Sequence, residues 1–324
     1  MKAAWYEKQG LAREVLQVGE MPDPRPGPGE VRLRIAASGI NPGDTKKRGD
    51  TFGIGMPYPR VIPHSDGAGR VDALGEGVSP GWLGRNVWCY GAQSYRPFGT
   101  AAEFIVVPLD HIAPLPANVT PEQGACLGIP GITGHRAVHV AGDVRGRTVV
   151  VQGAAGSVGI CAVALARHAG ARVIGTVRAA PDESAARNAG AHDVVVSDKD
   201  LASRVRALVP DGVDHIVEVA FAANIDADVE LLKMDGSIAS YATNNAAPAI
   251  PFWQMVFKNI RVFFLGSDDF PAEAKIQAAR DINSALEADW AGFEIGERLP
   301  LAEIARAHDL VDHPVKRGLV ILSL

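Results

Sequence analysis

The chain has 324 residues, 47% of them hydrophobic and 21% charged, with a formal net charge of −5. That is long enough for two domains with a sizeable core, and the balance excludes global disorder. A mildly acidic chain without a basic block is a poor partner for nucleic acid or an anionic membrane surface. No apolar run reaches membrane-spanning length, and Met1–Glu7 lacks the apolar stretch of a secretory signal, so the expected location is the cytoplasm. Cys89, Cys126 and Cys161 are odd in number and far apart, which predicts neither a disulfide framework nor a zinc knuckle.

Residues 1 to about 120 read as short strands broken by turns. Lys2–Tyr6 is one. Glu30–Ala36 alternates, with Val31, Leu33 and Ile35 on one face. Before it, the prolines of Met21–Gly29 allow only irregular surface chain. Gly67–Leu74, Arg85–Cys89 and Ala101–Val107 complete an all-β half, expected as a closed or nearly closed barrel. The character changes near Thr120–Gln123, where a capping residue, a proline and an early acid signal a helix start. From there to about Gly266, strands alternate with helices. The strands are Thr148–Val151, Arg172–Thr176, Asp193–Val196, Asp214–Val219, Ser237–Tyr241 and Arg261–Leu265. This alternation predicts a doubly wound parallel sheet. Amphipathic helices at Pro271–Trp290 and Leu301–Asp309 follow. The last stretch, Arg317–Leu324, is too apolar for a loose tail and is assigned back to the first domain. The predicted organisation is α/β, with domains 1–122 and 123–266 and a return to the first over 267–324.

The informative stretch is Thr148–Gly159. A β-branched run, a turn of small residues and an apolar helix from Ile160 form the layout that holds a dinucleotide pyrophosphate on free backbone N–H groups. The spelling is A-x-G-x-x-G, with Ala154 in the usual place of the first glycine, and Gly156 and Gly159 following. A second buried strand, Gly170–Arg178, comes at the distance one βαβ unit requires. Ala155, Gly156, Ser157 and Val158 are the predicted phosphate contacts, with Gly175 and Thr176 beside them. No carboxylate ends the second strand to accept from a ribose 2′-OH. Arg178 stands there instead and suits a 2′-phosphate, which predicts NADPH over NADH. Ser197 and Lys199, after the third strand, are further adenosine-phosphate candidates, with His192 behind them.

Several stretches in order resemble the quinone oxidoreductases of the zeta-crystallin branch of the medium-chain dehydrogenase/reductase superfamily, a zinc-independent group. They are Ser38–Asp44, Ile62–Gly69, Leu127–Gly134, the Ala154–Gly159 turn, Gly175–Arg178 and Lys316–Leu322. The resemblance implies a GroES-like barrel with an inserted Rossmann domain, substrate in the cleft, and a homodimer paired through 259–266. An apolar edge strand needs such cover on physical grounds as well. By family position Asn41 and Thr133 would stand near the nicotinamide. Tyr241, Leu265 and Ser267, after the fifth and sixth strands, would line the ring pocket, and Arg317 would reach the pyrophosphate.

Zinc-dependent relatives use a cysteine, a histidine and a second cysteine. Here those places hold Asn41 or Pro42, Ser65 and a residue near Ile129, while His64 sits one position early. His111, His135, His139 and His313 form no ligand-spaced group, so no metal is expected. Without a Lewis acid a plain alcohol is hard to oxidise. A quinone or an enone accepts hydride at carbon and spreads charge to oxygen, so a quinone or enone is the expected substrate. Alternatives are an alkenal or enoyl-thioester reductase and a non-catalytic NADPH-binding protein. Lys46 and Tyr58 are the weak candidates for a proton donor. Phe252 and Trp253 read as core or interface residues ahead of substrate stacking.

Overall fold

Two units account for the chain in the computed structural model, which describes residues 1–288, 290–314 and 318–324. One comprises Met1–Ile129 with Gly292–Leu324, the other Pro130–Ala291. In chain order the strands of the first stretch are β1 (Lys2–Trp5), β2 (Gln17–Glu20), β3 (Glu30–Gly39), β4 (Asp66–Leu74), β5 (Asn86–Cys89), β6 (Phe104–Pro108) and β7 (Ile112–Pro114). The second unit carries β8 (Thr148–Val151), β9 (Arg172–Val177), β10 (Asp193–Val196), β11 (Val213–Glu218), β12 (Leu232–Ser240) and β13 (Arg261–Phe264). The chain then returns with β14 (Ile295–Pro300) and β15 (Leu319–Ser323).

The first unit is a mostly antiparallel sheet in the order β14-β15-β3-β4-β5-β7, with β6 also paired to β3. The ten residues of β3 make this possible. Glu30–Arg34 pair with β6, while Ala37–Gly39 pair with β15. The expected face is the buried one: Val31, Leu33 and Ile35 pack with Val71, Val87, Ile105 and Val107. The C-terminal strand does return to this unit, where Val320 and Leu322 join Ala3, Ala4, Ile40 and Ile62.

The second unit is a six-stranded parallel sheet in the order β10-β9-β8-β11-β12-β13. Strand order reverses between β8 and β11, the switch point beside which such sheets bind ligands. β8 shows why the run TVVV is a strand. Val149 and Val151 enter the cluster that holds the helix Ser157–His168, while Val150 enters the cluster on the other face. A strand covered on both faces needs apolar residues at every position.

The predicted boundaries move. The switch falls after Ile129, beyond the short helix Pro121–Gly124 capped by Thr120. Residues 267–291 belong to the second unit, not to the return. The reason is the helix Ala272–Glu287, which buries Ala278, Ala279, Ile282 and Leu286. Its Asp281 meets His135 at 2.7 Å, and its Ser284 meets His168 at 3.2 Å. The cysteines are buried and free of disulfides. Among the described residues no helix is long and apolar enough to cross a membrane.

Candidate active site

The turn after β8 is built from inside. Gly153 takes the left-handed conformation, φ +68°, and its carbonyl accepts from Gly156 N–H at 2.9 Å. Ala154, fully buried, donates its N–H to the Thr176 carbonyl at 2.8 Å. Gly159 must lack a side chain, because a Cβ there would stand 2.2 Å from the Gly153 oxygen. The turn thus lies directly on the first turn of the helix Ser157–His168. Gly156 is the N-cap, exposed, and supplies no capping side chain. The first-turn N–H groups of Ser157 and Val158 therefore have no intrahelical acceptor and lie at the positive end of the helix. Ala155, Ser157 and Val158 are half-buried around this opening.

Thr176 and Gly175 lie beneath the turn. Thr176 is 1% exposed; its hydroxyl accepts from Gly153 N–H at 3.2 Å and donates to Gln152 Oε1 at 2.6 Å. A Cβ on Gly175 would meet Ala154 Cβ at 2.8 Å. Both were expected to meet the cofactor, yet the contacts they make here are with the turn itself. Arg178 follows the same strand, which ends at Val177, and is exposed to solvent with no ion pair among the described residues. Ser197, half-buried, is tied back by its N–H to the Val177 carbonyl. It borders, with Lys199 and Asn224, a surface hollow of about 410 Å³. Tyr241 and Leu265 are half-buried over the same core as Ala155. Burial, then the nearby Glu218, pushes the Tyr241 phenol upward. Ser267 opens a 3₁₀ turn after β13. Thr133 is buried within the helix Gly128–His139.

In the first unit the organising residue is Asp66, within the stretch Ile62–Gly69. Its Oδ2 accepts from Asn41 Nδ2 at 2.7 Å and from Ile129 N–H at 2.8 Å. Asn41 also caps the helix Pro42–Arg48 in a capping box with Asp44. The protons nearby follow in sequence. Thr100 Oγ1 donates to the Asp66 carbonyl at 2.6 Å, so it accepts from Ser38 Oγ at 2.7 Å. Ser38 must then accept from His64 Nδ1 at 2.8 Å. That leaves His64 Nε2 as acceptor for His308 Nε2, at 2.9 Å. Both imidazoles are fully buried, and burial pushes His64 down to about 3. His64 stands at φ +76°, a conformation few side chains accept without such anchoring.

Among the described residues no three His, Cys, Asp or Glu side chains are grouped to hold a metal ion. Lys46 is exposed, and Tyr58 spends its hydroxyl on the Tyr95 carbonyl at 2.6 Å. Arg317 lies outside the described residues. Gln152, Gly153, Glu218 and Asp228 were missed. The one available signal was Gln152, a lone polar residue between a buried valine run and a glycine turn.

A GroES-like barrel joined to a Rossmann sheet with this turn defines a medium-chain dehydrogenase/reductase. Residues 27–117 match the alcohol dehydrogenase GroES-like domain, and residues 157–279 match the family described as zinc-binding dehydrogenase. The quinone oxidoreductase of Mus musculus is 31% identical over 309 residues, 93% of this chain and 91% of that one. The chain belongs to the quinone oxidoreductase family within that superfamily, a family of oxidoreductases. A mycobacterial protein, Rv1454c, solved in complex with NADPH, superposes with a TM-score of 0.85 at 28% identity over the full length of both chains. A 2-haloacrylate reductase structure gives 0.83 at 25% identity, over 100% of this chain and 99% of that one.

Proposed function

We propose that the protein is an NADPH-dependent quinone oxidoreductase acting without a metal. The carrying observation is the turn over Gly159, where no side chain fits and the Ser157 and Val158 N–H groups are left for phosphate oxygens. Arg178, exposed just after β9 and in no ion pair among the described residues, suits the 2′-phosphate. When bound, NADPH supplies a hydride to an electron-poor carbon. The chain's part is to hold the dinucleotide on the turn, to present Tyr241 and Leu265 at the strand ends, and to position Asn41 and Thr133. The residues in the places of a zinc set do not fit a zinc ion. Asn41 Nδ2 is committed to Asp66, and both His64 nitrogens are engaged within a buried chain.

The partner in solution is a second copy. Among the described residues β13 has a neighbour on one side only, and Phe264, its last residue, is 72% exposed. Trp253 and Phe257, on the helix Phe252–Phe257, are 64% and 71% exposed. They are not core residues. An apolar edge of this kind is suited to pairing across 259–266. The cytoplasm is the compartment this reading assigns. Similarity to a 2-haloacrylate reductase keeps a second reading open, reduction of a C=C bond conjugated to a carboxyl or carbonyl group.

The test is NADPH oxidation against a panel of 1,2- and 1,4-quinones and enones. Turnover of enones alone favours the second reading. Arg178→Glu is expected to weaken NADPH by at least about tenfold while changing NADH little. Equal loss of both cofactors removes Arg178 from the 2′-phosphate.

A further inference from the structure

Two fully buried carboxyl groups face each other behind the turn: Glu218 at the end of β11 and Asp228 on the helix Phe221–Leu231. Glu218 accepts from Ala220 N–H and from Asn224 Nδ2, the latter at 3.1 Å to each oxygen. Asp228 Oδ1 accepts from Gln152 Nε2 at 2.7 Å. Among the described residues no donor reaches Asp228 Oδ2, a buried oxygen. An ionised Asp228 would leave that oxygen unsatisfied beside a second negative charge, a costly arrangement. A proton on Oδ2, donated to Glu218, removes both costs.

The pair connects to the turn through groups whose directions are forced. Gly153 N–H can only donate, so Thr176 Oγ1 accepts from it and passes its own hydrogen to Gln152 Oε1. The Gln152 amide is thereby oriented with its NH₂ toward Asp228. Gly153 is the residue whose φ shapes the turn. We propose that Glu218 and Asp228 share a single proton and act, through Gln152 and Thr176, as the positioning residues of the dinucleotide turn.

This rests on the turn being the NADPH site. The groups facing the pair are Gln152 after β8, Asn224 on the helix and Tyr241 after β12. Cys161, on the helix Ser157–His168, interacts with Tyr241. Among the described residues no lysine or arginine makes an ion pair with either acid. Removing the shared proton puts two uncompensated charges behind the turn, and their repulsion displaces Asp228 and, through its Oδ1 bond, Gln152.

The full-length protein is compared with Asp228→Asn and Asp228→Leu. The readouts are infrared spectra, NADPH fluorescence titrations from about pH 7 to about pH 9.5, and thermal midpoints. The wild type should show the C=O stretch of a protonated carboxyl, absent from Asp228→Asn. Wild-type NADPH affinity should fall at least about tenfold towards the alkaline end. Asp228→Asn should stay within about twofold, because its amide still donates to Glu218 and accepts from Gln152. Asp228→Leu should bind NADPH at least about tenfold more weakly at every pH at which it is folded. A missing carboxyl band, a flat wild-type profile, or Asp228→Asn binding as poorly as Asp228→Leu overturns the proposal. If the wild type binds no NADPH, the reading of the turn fails instead, and the infrared band still decides whether the proton is shared.

Discussion

Gly159→Ala tests the close approach on which the turn depends. The added Cβ would stand 2.2 Å from the Gly153 oxygen and 2.9 Å from Ala154 Cα. The first distance falls short of the 3.4 Å of ordinary contact by about 1.2 Å, and the obstacle is backbone, which cannot rotate away. Alanine improves helix propensity by up to about 1 kcal/mol. Overpacking of this kind costs about 1–3 kcal/mol, so the clash wins and the net loss is about 1–2 kcal/mol. The larger effect falls on binding. Moving a phosphate cradle by about 1 Å misplaces every N–H group in it, and a shift of that size can cost about 10²-fold where geometry is critical. Urea titration of the variant should show the modest loss, and NADPH fluorescence a much larger one. Gly156→Ala is the control. Its Cβ would meet the same oxygen at 3.3 Å, nearly an ordinary contact, so stability should move by less than about 0.5 kcal/mol. Intact NADPH binding in Gly159→Ala, or equal loss of stability in the two variants, would refute the reasoning.

Acid should destabilise the protein before carboxylate titration begins. Burial pushes His64 to about 3 and His215 to about 4, and holds His308 well below its usual range. Unfolded histidines protonate below about 6.5, so this stability is complete above that pH and is lost as pH falls towards 4. Asp228, raised by burial and by Glu218, holds a proton in the folded state that the unfolded state releases, and acts in the opposite sense. These three histidines and His139, which burial also pushes to about 4, outweigh one carboxyl, and denaturant midpoints should fall by the equivalent of about 4 kcal/mol per pH unit between about pH 6 and 4.5. A flat profile across that window would contradict neutral burial. Phe264→Asp puts a charge on the open edge of β13, and light scattering should then report half the native mass with NADPH binding retained. An unchanged mass removes this edge from the interface. Exhaustive treatment with a chelator should leave NADPH-dependent turnover unchanged, and its loss would overturn the metal-free reading.

Much of the fold was legible because β-branched runs such as Val149–Val151 are both strand-forming and too apolar for anything but a covered sheet. β12 was less so. It begins at Leu232, five residues before the predicted start, through a stretch that holds Asp235 at φ +60° and a register shift against β11. Alternation rules do not see an irregular strand. The 267–291 boundary failed for a different reason: an amphipathic helix reports that it has an apolar face, not which neighbour covers it. At the site, the turn was readable from local spacing. The groups that hold it were not, because the hydrogen bond from Gln152 to Asp228 joins residues 76 positions apart. Nor does a sequence motif show whether Thr176 points at a ligand or inward at Gly153.

The pairing of β15 with β3 sets an order on synthesis. Residues 130–291 are contiguous, so that unit has all its strands once the ribosome has passed Ala291. The barrel emerges first yet must wait for β15 to cover Ala37–Gly39. A nascent chain that has emerged only as far as residue 318 would therefore carry the whole second unit and an open apolar seam along β3. Chaperone capture during translation should concentrate on that seam.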